Sequence, residues 1–63
     1  MLNYVYIHSC SDPHKWYNKF IGHYVRLLDE ERDHYEFKCL QPDGYINYVD
    51  KNDGFMVSLH TDT

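Results

Sequence analysis

Hydrophobic and polar positions alternate with period two along most of this chain, which is the signature of half-buried β-strands and not of helices. Asn3 to His8 sets Val5 and Ile7 against Tyr4, Tyr6 and His8. His23 to Leu28 sets His23, Val25 and Leu27 against Tyr24, Arg26 and Leu28, so each face carries an apolar residue. His34 to Leu40 is the cleanest case, and it predicts Tyr35, Phe37 and Cys39 inward with His34, Glu36 and Lys38 outward. Tyr45 to Asp50 divides Tyr45, Asn47 and Val49 from Ile46, Tyr48 and Asp50. With Ile46 and Tyr48 taken as the inward pair, Tyr45 is exposed beside Asn47. Phe55 to Leu59 opens a fifth strand. Charged or turn-forming residues separate these runs: Asp29-Glu30-Glu31-Arg32-Asp33 is a solvated hairpin tip, Gln41-Pro42-Asp43-Gly44 is turn chemistry, and Asn52-Asp53-Gly54 closes the fourth strand.

One stretch breaks the period. Asp12-Pro13 fits a helix start, with Asp12 as N-cap and Pro13 at the first helical position. Pro13, Trp16, Tyr17 and Phe20 then fall at i, i+3, i+4 and i+7, which gathers the bulky rings on one face of a helix over 13–21, and Gly22 stops it. Two turns with so large an apolar face do not stand alone in water, so the segment must plug one end of a barrel or lie across a sheet. Trp16 is the expected anchor of that plug.

The prediction is a mainly β domain: a small five-stranded antiparallel barrel with one short helix inserted after the first strand. A long insertion after strand one, a charged hairpin, a tight Pro-Asp-Gly turn and a corner at Asp50 to Asp53 before the last strand give a layout that resembles SH3-like barrels. The runs DPHKWYNKFIGHYVRLL and DGYINYVDKNDGF, with Asp12, Trp16 and Tyr17 ahead of Ile21-Gly22, are also similar to small SH3-like proteins encoded by bacteriophages. Some such proteins bind and block a host protein, and the resemblance implies that activity here. The chain lacks the ALYDY segment and the paired proline-shelf residues of peptide-binding SH3 domains, so polyproline recognition is not carried over.

Length and composition sharpen the picture further. A chain of 63 residues is a single domain, 1–63, near the lower size limit for a core without metal or disulfide. Its aromatic share of 17% supplies that core, but seven tyrosines exceed what so small an interior hides with every hydroxyl paired. A net charge of −4, with the six basic residues scattered, argues against a phosphate backbone as partner. Cys10 and Cys39 alone do not make the disulfide framework of a small secreted domain, so a reduced pair is expected. The amino terminus lacks the pattern of a signal peptide, no apolar run is long enough to span a bilayer, and the expected location is the cytoplasm.

Candidate chemistry is sparse. His8, Cys10, His14 and Cys39 are potential metal ligands, but no C-x-x-C or H-x-x-x-H spacing is present, and core cysteine with surface histidine explains them better. No Gly-rich turn or activated nucleophile is evident, so no catalytic residue and no cofactor is predicted and the chain is read as a non-enzyme. The acidic tip, through Glu30, Glu31 and Asp33 and continued by Glu36, would meet a basic groove on a partner, although hairpin tips are commonly charged for solvation alone. The stronger signal is the surplus of rings. Tyr4, Tyr6, Tyr24 and Tyr45 fall on outward positions, and exposed tyrosines with a polar rim compose a protein-binding patch or a homodimer interface. The functional expectation is a protein-binding module that occludes a host protein. A small-ligand or nucleic-acid binder and a structural subunit are the alternatives.

Overall fold

The computed structural model describes residues 2–29 and 35–59. Five antiparallel strands form one sheet: β1 (Leu2–Ile7), β2 (Tyr24–Asp29), β3 (Glu36–Leu40), β4 (Ile46–Asp50) and β5 (Gly54–Leu59). Their order is β4-β3-β2-β1-β5, so three consecutive hairpin pairings are completed by β5 returning to lie beside β1. β4 and β5 are the two edges and do not pair, and the sheet is therefore open where a closed barrel was expected. The expected strands 23–28, 34–40, 45–50 and 55–59 each match a strand to within two residues. Residue 34 and the acidic tip at 30–33 lie outside the described residues. Among those described, no helix is long and apolar enough to cross a membrane.

One side of the sheet is the core. Val5 and Ile7 of β1, Val25 and Leu27 of β2, Phe37 and Cys39 of β3 and Val49 of β4 alternate onto that side and are all buried, as period two requires. Burial of such side chains is worth roughly 1.5–3 kcal/mol each. The register slips by one residue between Leu27 and Asp29, so Leu28 is the extra residue of a β-bulge in β2. Burial also pushes the Cys39 thiol up to about 12, which makes it an inert packing group. Both cysteines are free.

Two strand-face assignments are corrected. Tyr35 lies just before β3 and is 78% exposed, because the strand begins at Glu36 and its backbone carbonyl serves instead to accept from Lys51 N at 2.9 Å. In β4 the inward side is that of Asn47 and Val49, while Ile46 and Tyr48 face out. Pairing decides this: Val49 stands opposite Phe37 and Asn47 opposite Cys39, so a swap would bury Tyr48 opposite Lys38.

The insertion is also rebuilt. In place of a helix over 13–21 there is a tight turn at Asp12 to Lys15, followed by a single 3₁₀ turn, Trp16–Phe20. Asp12 caps the turn and not a helix: its carboxylate accepts from His14 N at 2.9 Å and its carbonyl from Lys15 N at 3.0 Å. Lys15 is extended, which breaks the helical run that Pro13 would have begun. Gly22 does end the segment, with φ of 87° and its N–H given to Ile7 O at 2.7 Å. The plug is Tyr17 and not Trp16. Tyr17 is fully buried on the core side of the sheet, and Trp16, Phe20 and Cys10 pack against the same cluster.

Gly54, where β5 begins, has no room for a side chain. A Cβ there would stand 2.7 Å from Val5 Cγ1 and 2.8 Å from the Tyr6 carbonyl oxygen, and the latter is backbone held in the sheet. Gly54→Ala is therefore expected to cost about 1–3 kcal/mol and lower the melting temperature by roughly 5–20 °C. Thermal circular dichroism reads this directly, and a variant melting with the parent would show that β5 shifts freely.

Candidate functional site

Two features stand out, one that holds the fold and one that faces solvent. The first is built around Asp53, the buried charged side chain at the β4–β5 corner. Its Oδ2 accepts from the Tyr17 hydroxyl at 2.6 Å and from the Ser11 backbone N and hydroxyl, both at 3.1 Å, and its Oδ1 accepts from the Ser9 hydroxyl at 3.3 Å. Burial by itself raises the carboxyl's pKa, but the bonds from Tyr17, Ser11 and Ser9 together hold it below the usual carboxylate range. Tyr17 shifts the other way, because burial and the neighbouring Asp53 carboxylate both disfavour a phenolate. The Tyr17 hydroxyl also accepts from Asp50 N at 3.3 Å, and Asp53 N donates to Asp50 O at 2.9 Å to close the corner in one turn. The carboxylate thus ties the 9–17 segment to the last two strands. Every group bonded to the carboxylate is a donor, and together they make it a structural lock.

The second feature lies on the opposite side of the sheet, which no other element covers among the described residues. Register places Tyr6 opposite Tyr24 on β2 and opposite Phe55 on β5, so three rings form a row across β2, β1 and β5. Tyr6 and Tyr24 have centroids 5.1 Å apart at 58°, Tyr6 and Phe55 5.4 Å apart at 46°, and His8 stacks on Phe55 at 5.9 Å. Tyr24 is 54% and Phe55 48% exposed, so the flanking rings stand clear of the half-buried central one. Tyr4 is half-buried in the next row, between Arg26 and Val57. Such cross-strand aromatic pairs contribute roughly 0.2–1 kcal/mol to the sheet, much less than burying those rings against a partner would.

Tyr4, Tyr6 and Tyr24 are thus brought together as the alternation predicts. Tyr45 is not: it is 72% exposed in the turn before β4, where its N–H donates to Asp43 Oδ1 at 3.1 Å, and its parity is that of the core side. Glu36 is half-buried opposite Asp50, on the same side as the row but two strands from Tyr4. Glu30, Glu31 and Asp33 lie outside the described residues. Phe55 and His8 are the members that strand-by-strand reading leaves unassigned. Alternation marks His8 as outward, but only the pairing of β5 with β1 sets Phe55 beside Tyr6. Among the described side chains on this face the charges are Arg26 and Lys38 against Glu36 and Asp50, a balance without the basic excess that a phosphate chain needs.

Among the described residues no three His, Cys, Asp or Glu side chains stand close enough together to hold a metal ion. Cys10 Sγ is engaged with Asp12 O at 3.0 Å, and His23 packs edge-on to Phe20. No family model, no curated protein and no solved structure matches this chain.

Proposed function

We propose that this chain is a non-enzymatic protein-binding module of SH3-like arrangement that acts by occlusion, as a phage-encoded inhibitor or modulator of a host protein. The observation that carries the reading is the row His8, Phe55, Tyr6 and Tyr24, a rigid aromatic surface displayed on a sheet face. Tyrosine rings supply large contact area at low conformational cost, and their hydroxyls supply directed hydrogen bonds. The strand order, with β5 returning beside β1, and the one-turn corner at Asp50 to Asp53 support the SH3-like arrangement.

Affinity capture from host-cell lysate, with the full chain beside a Tyr6→Ala, Tyr24→Ala double variant, tests the reading. One stoichiometric protein should be captured by the parent and weakened at least about 30-fold by the variant, the size expected when an interface loses central aromatic anchors. The variant's circular dichroism should keep its β signature, since the lost cross-strand contacts are worth only about 1 kcal/mol each. Equal capture by both chains would remove the row from the interface, and no capture would remove the function.

A further inference from the structure

The uncovered face of the sheet keeps its rings and its acids apart. Beside the row of Tyr24, Tyr6 and Phe55 runs a second row, in which Ile46, Leu40, Arg26, Tyr4 and Val57 succeed one another across all five strands. Arg26 is the charged member of these two rows. Lys38 stands in the next row, opposite Tyr48, and the acids Glu36 and Asp50 face each other in the row beyond it. Four residues of β3 separate Glu36 from Leu40, the neighbour of Arg26, which is about 13 Å of strand. That exceeds the screening length of about 8 Å at physiological salt.

Arg26 is held there without a counter-charge. It is exposed between Val25 and Leu27, both buried, so period two commits its side chain to this face. Its neighbours across the strands are Tyr4 and Leu40, and Tyr24 precedes it on the same face of β2; none is an acid. Elsewhere the chain lays cations on rings, Lys19 over Phe20 at 5.5 Å and Lys51 over Phe37 at 5.3 Å. Among the described residues no such contact and no ion pair engages the Arg26 guanidinium. In a chain with ten acidic residues, the aromatic field thus presents a planar fork of donors with no carboxylate beside it.

We propose that this face takes an acidic segment of a partner protein, whose carboxylate pairs with the Arg26 guanidinium while an apolar side chain two residues away lies on Tyr6 and Phe55. The inference rests on the proposed binding function and names the chemistry of its partner. Charge complementarity selects the acid, and the sheet sets the spacing. Successive rows on one face are two residues apart, about 7 Å, which is also the distance between alternate side chains of an extended segment laid along the strands. A phosphate chain brings a charge with every nucleotide, and here it would meet two cations, Arg26 and Lys38, followed by the opposed acids Glu36 and Asp50. An open sheet face also encloses too little of a small molecule to hold one. Arginine and tyrosine are the side chains that most often anchor protein interfaces.

Selection from a random peptide display library on the immobilised full chain tests this. The parent should enrich sequences with Asp or Glu two residues from an aromatic or aliphatic residue, and these peptides should bind Arg26→Gln at least about tenfold more weakly. Selection on Arg26→Glu should replace the enriched acid with Lys or Arg, a switch that a purely structural role of Arg26 does not produce. Should Arg26→Glu fail to fold, Arg26→Gln decides, because acids enriched equally on it and on the parent would overturn the proposal. Apolar peptides without an acid, lost on the Tyr6→Ala, Tyr24→Ala variant, would overturn it and leave the binding function standing, whereas no enrichment on the parent would remove both. A single-stranded oligonucleotide bound more tightly than the selected peptides at physiological salt would overturn it in favour of phosphate.

Discussion

Tyr17→Ala is expected to leave the chain largely unfolded at room temperature, whereas Tyr17→Phe stays folded and weakened. A domain of this size has a total stability of roughly 3–9 kcal/mol. Removing a fully buried aromatic costs about 3–5 kcal/mol, and here it also takes from buried Asp53 its shortest hydrogen bond. Phenylalanine keeps the ring in the core but leaves Asp50 N and Asp53 Oδ2 each short of a partner, a loss of about 1–3 kcal/mol. Urea titration of the two variants measures the ordering, and Tyr17→Ala within about 1 kcal/mol of the parent would mean that the 9–17 segment is an ornament and not part of the core. The phenylalanine variant carries a second signature. Tyr17 has its pKa raised on folding, so its contribution is complete below the unfolded phenol value near 10 and is lost as pH rises toward the folded one. That alkaline loss should disappear in Tyr17→Phe.

The difference between Tyr17 and Trp16 shows where sequence reading stops. Alternation in β1 and β2 is legible because each residue's face follows from its own neighbours: Val5, Ile7, Val25 and Leu27 go in, and Tyr4, Tyr6 and Tyr24 go out. The insertion is different, since helical spacing puts Trp16 and Tyr17 on one face and offers no reason to rank them. What ranks them is a partner far along the chain: Asp53 receives the Tyr17 hydroxyl in the interior, while Trp16 sits at the rim and reaches the edge of β4. The same distance hides Asp53, whose Asn-Asp-Gly setting reads as ordinary turn chemistry. In β4 both faces carry a plausible inward set, and only the pairing with Phe37 and Cys39 resolves it. Phe55 joins the aromatic row for the same reason, through a register with β1 that spans most of the chain.

Asp53→Asn is expected to destabilise the protein at neutral pH and to converge with the parent in acid. The substitution keeps the shape of the lock. Its amide oxygen can take the place of Oδ2 before Tyr17 and Ser11, and its NH₂ then faces the Ser9 hydroxyl, which can turn to accept. What is lost is the charge, and charge-assisted hydrogen bonds exceed neutral ones by enough to predict a loss of about 1–3 kcal/mol. The sign of the pH dependence follows from the lowered carboxyl. Folding makes Asp53 a stronger acid, so the unfolded chain binds the proton more tightly and stability rises with pH across the interval between the two values. The contribution is therefore complete above the unfolded value near 3.9 and is lost as pH falls below it through the folded one. Chemical denaturation of parent and variant across that range should give curves that are separated at pH 7 and meet in acid. Curves that stay parallel from neutral pH downward would assign the acid sensitivity to other carboxylates and leave the Asp53 lock a matter of shape alone.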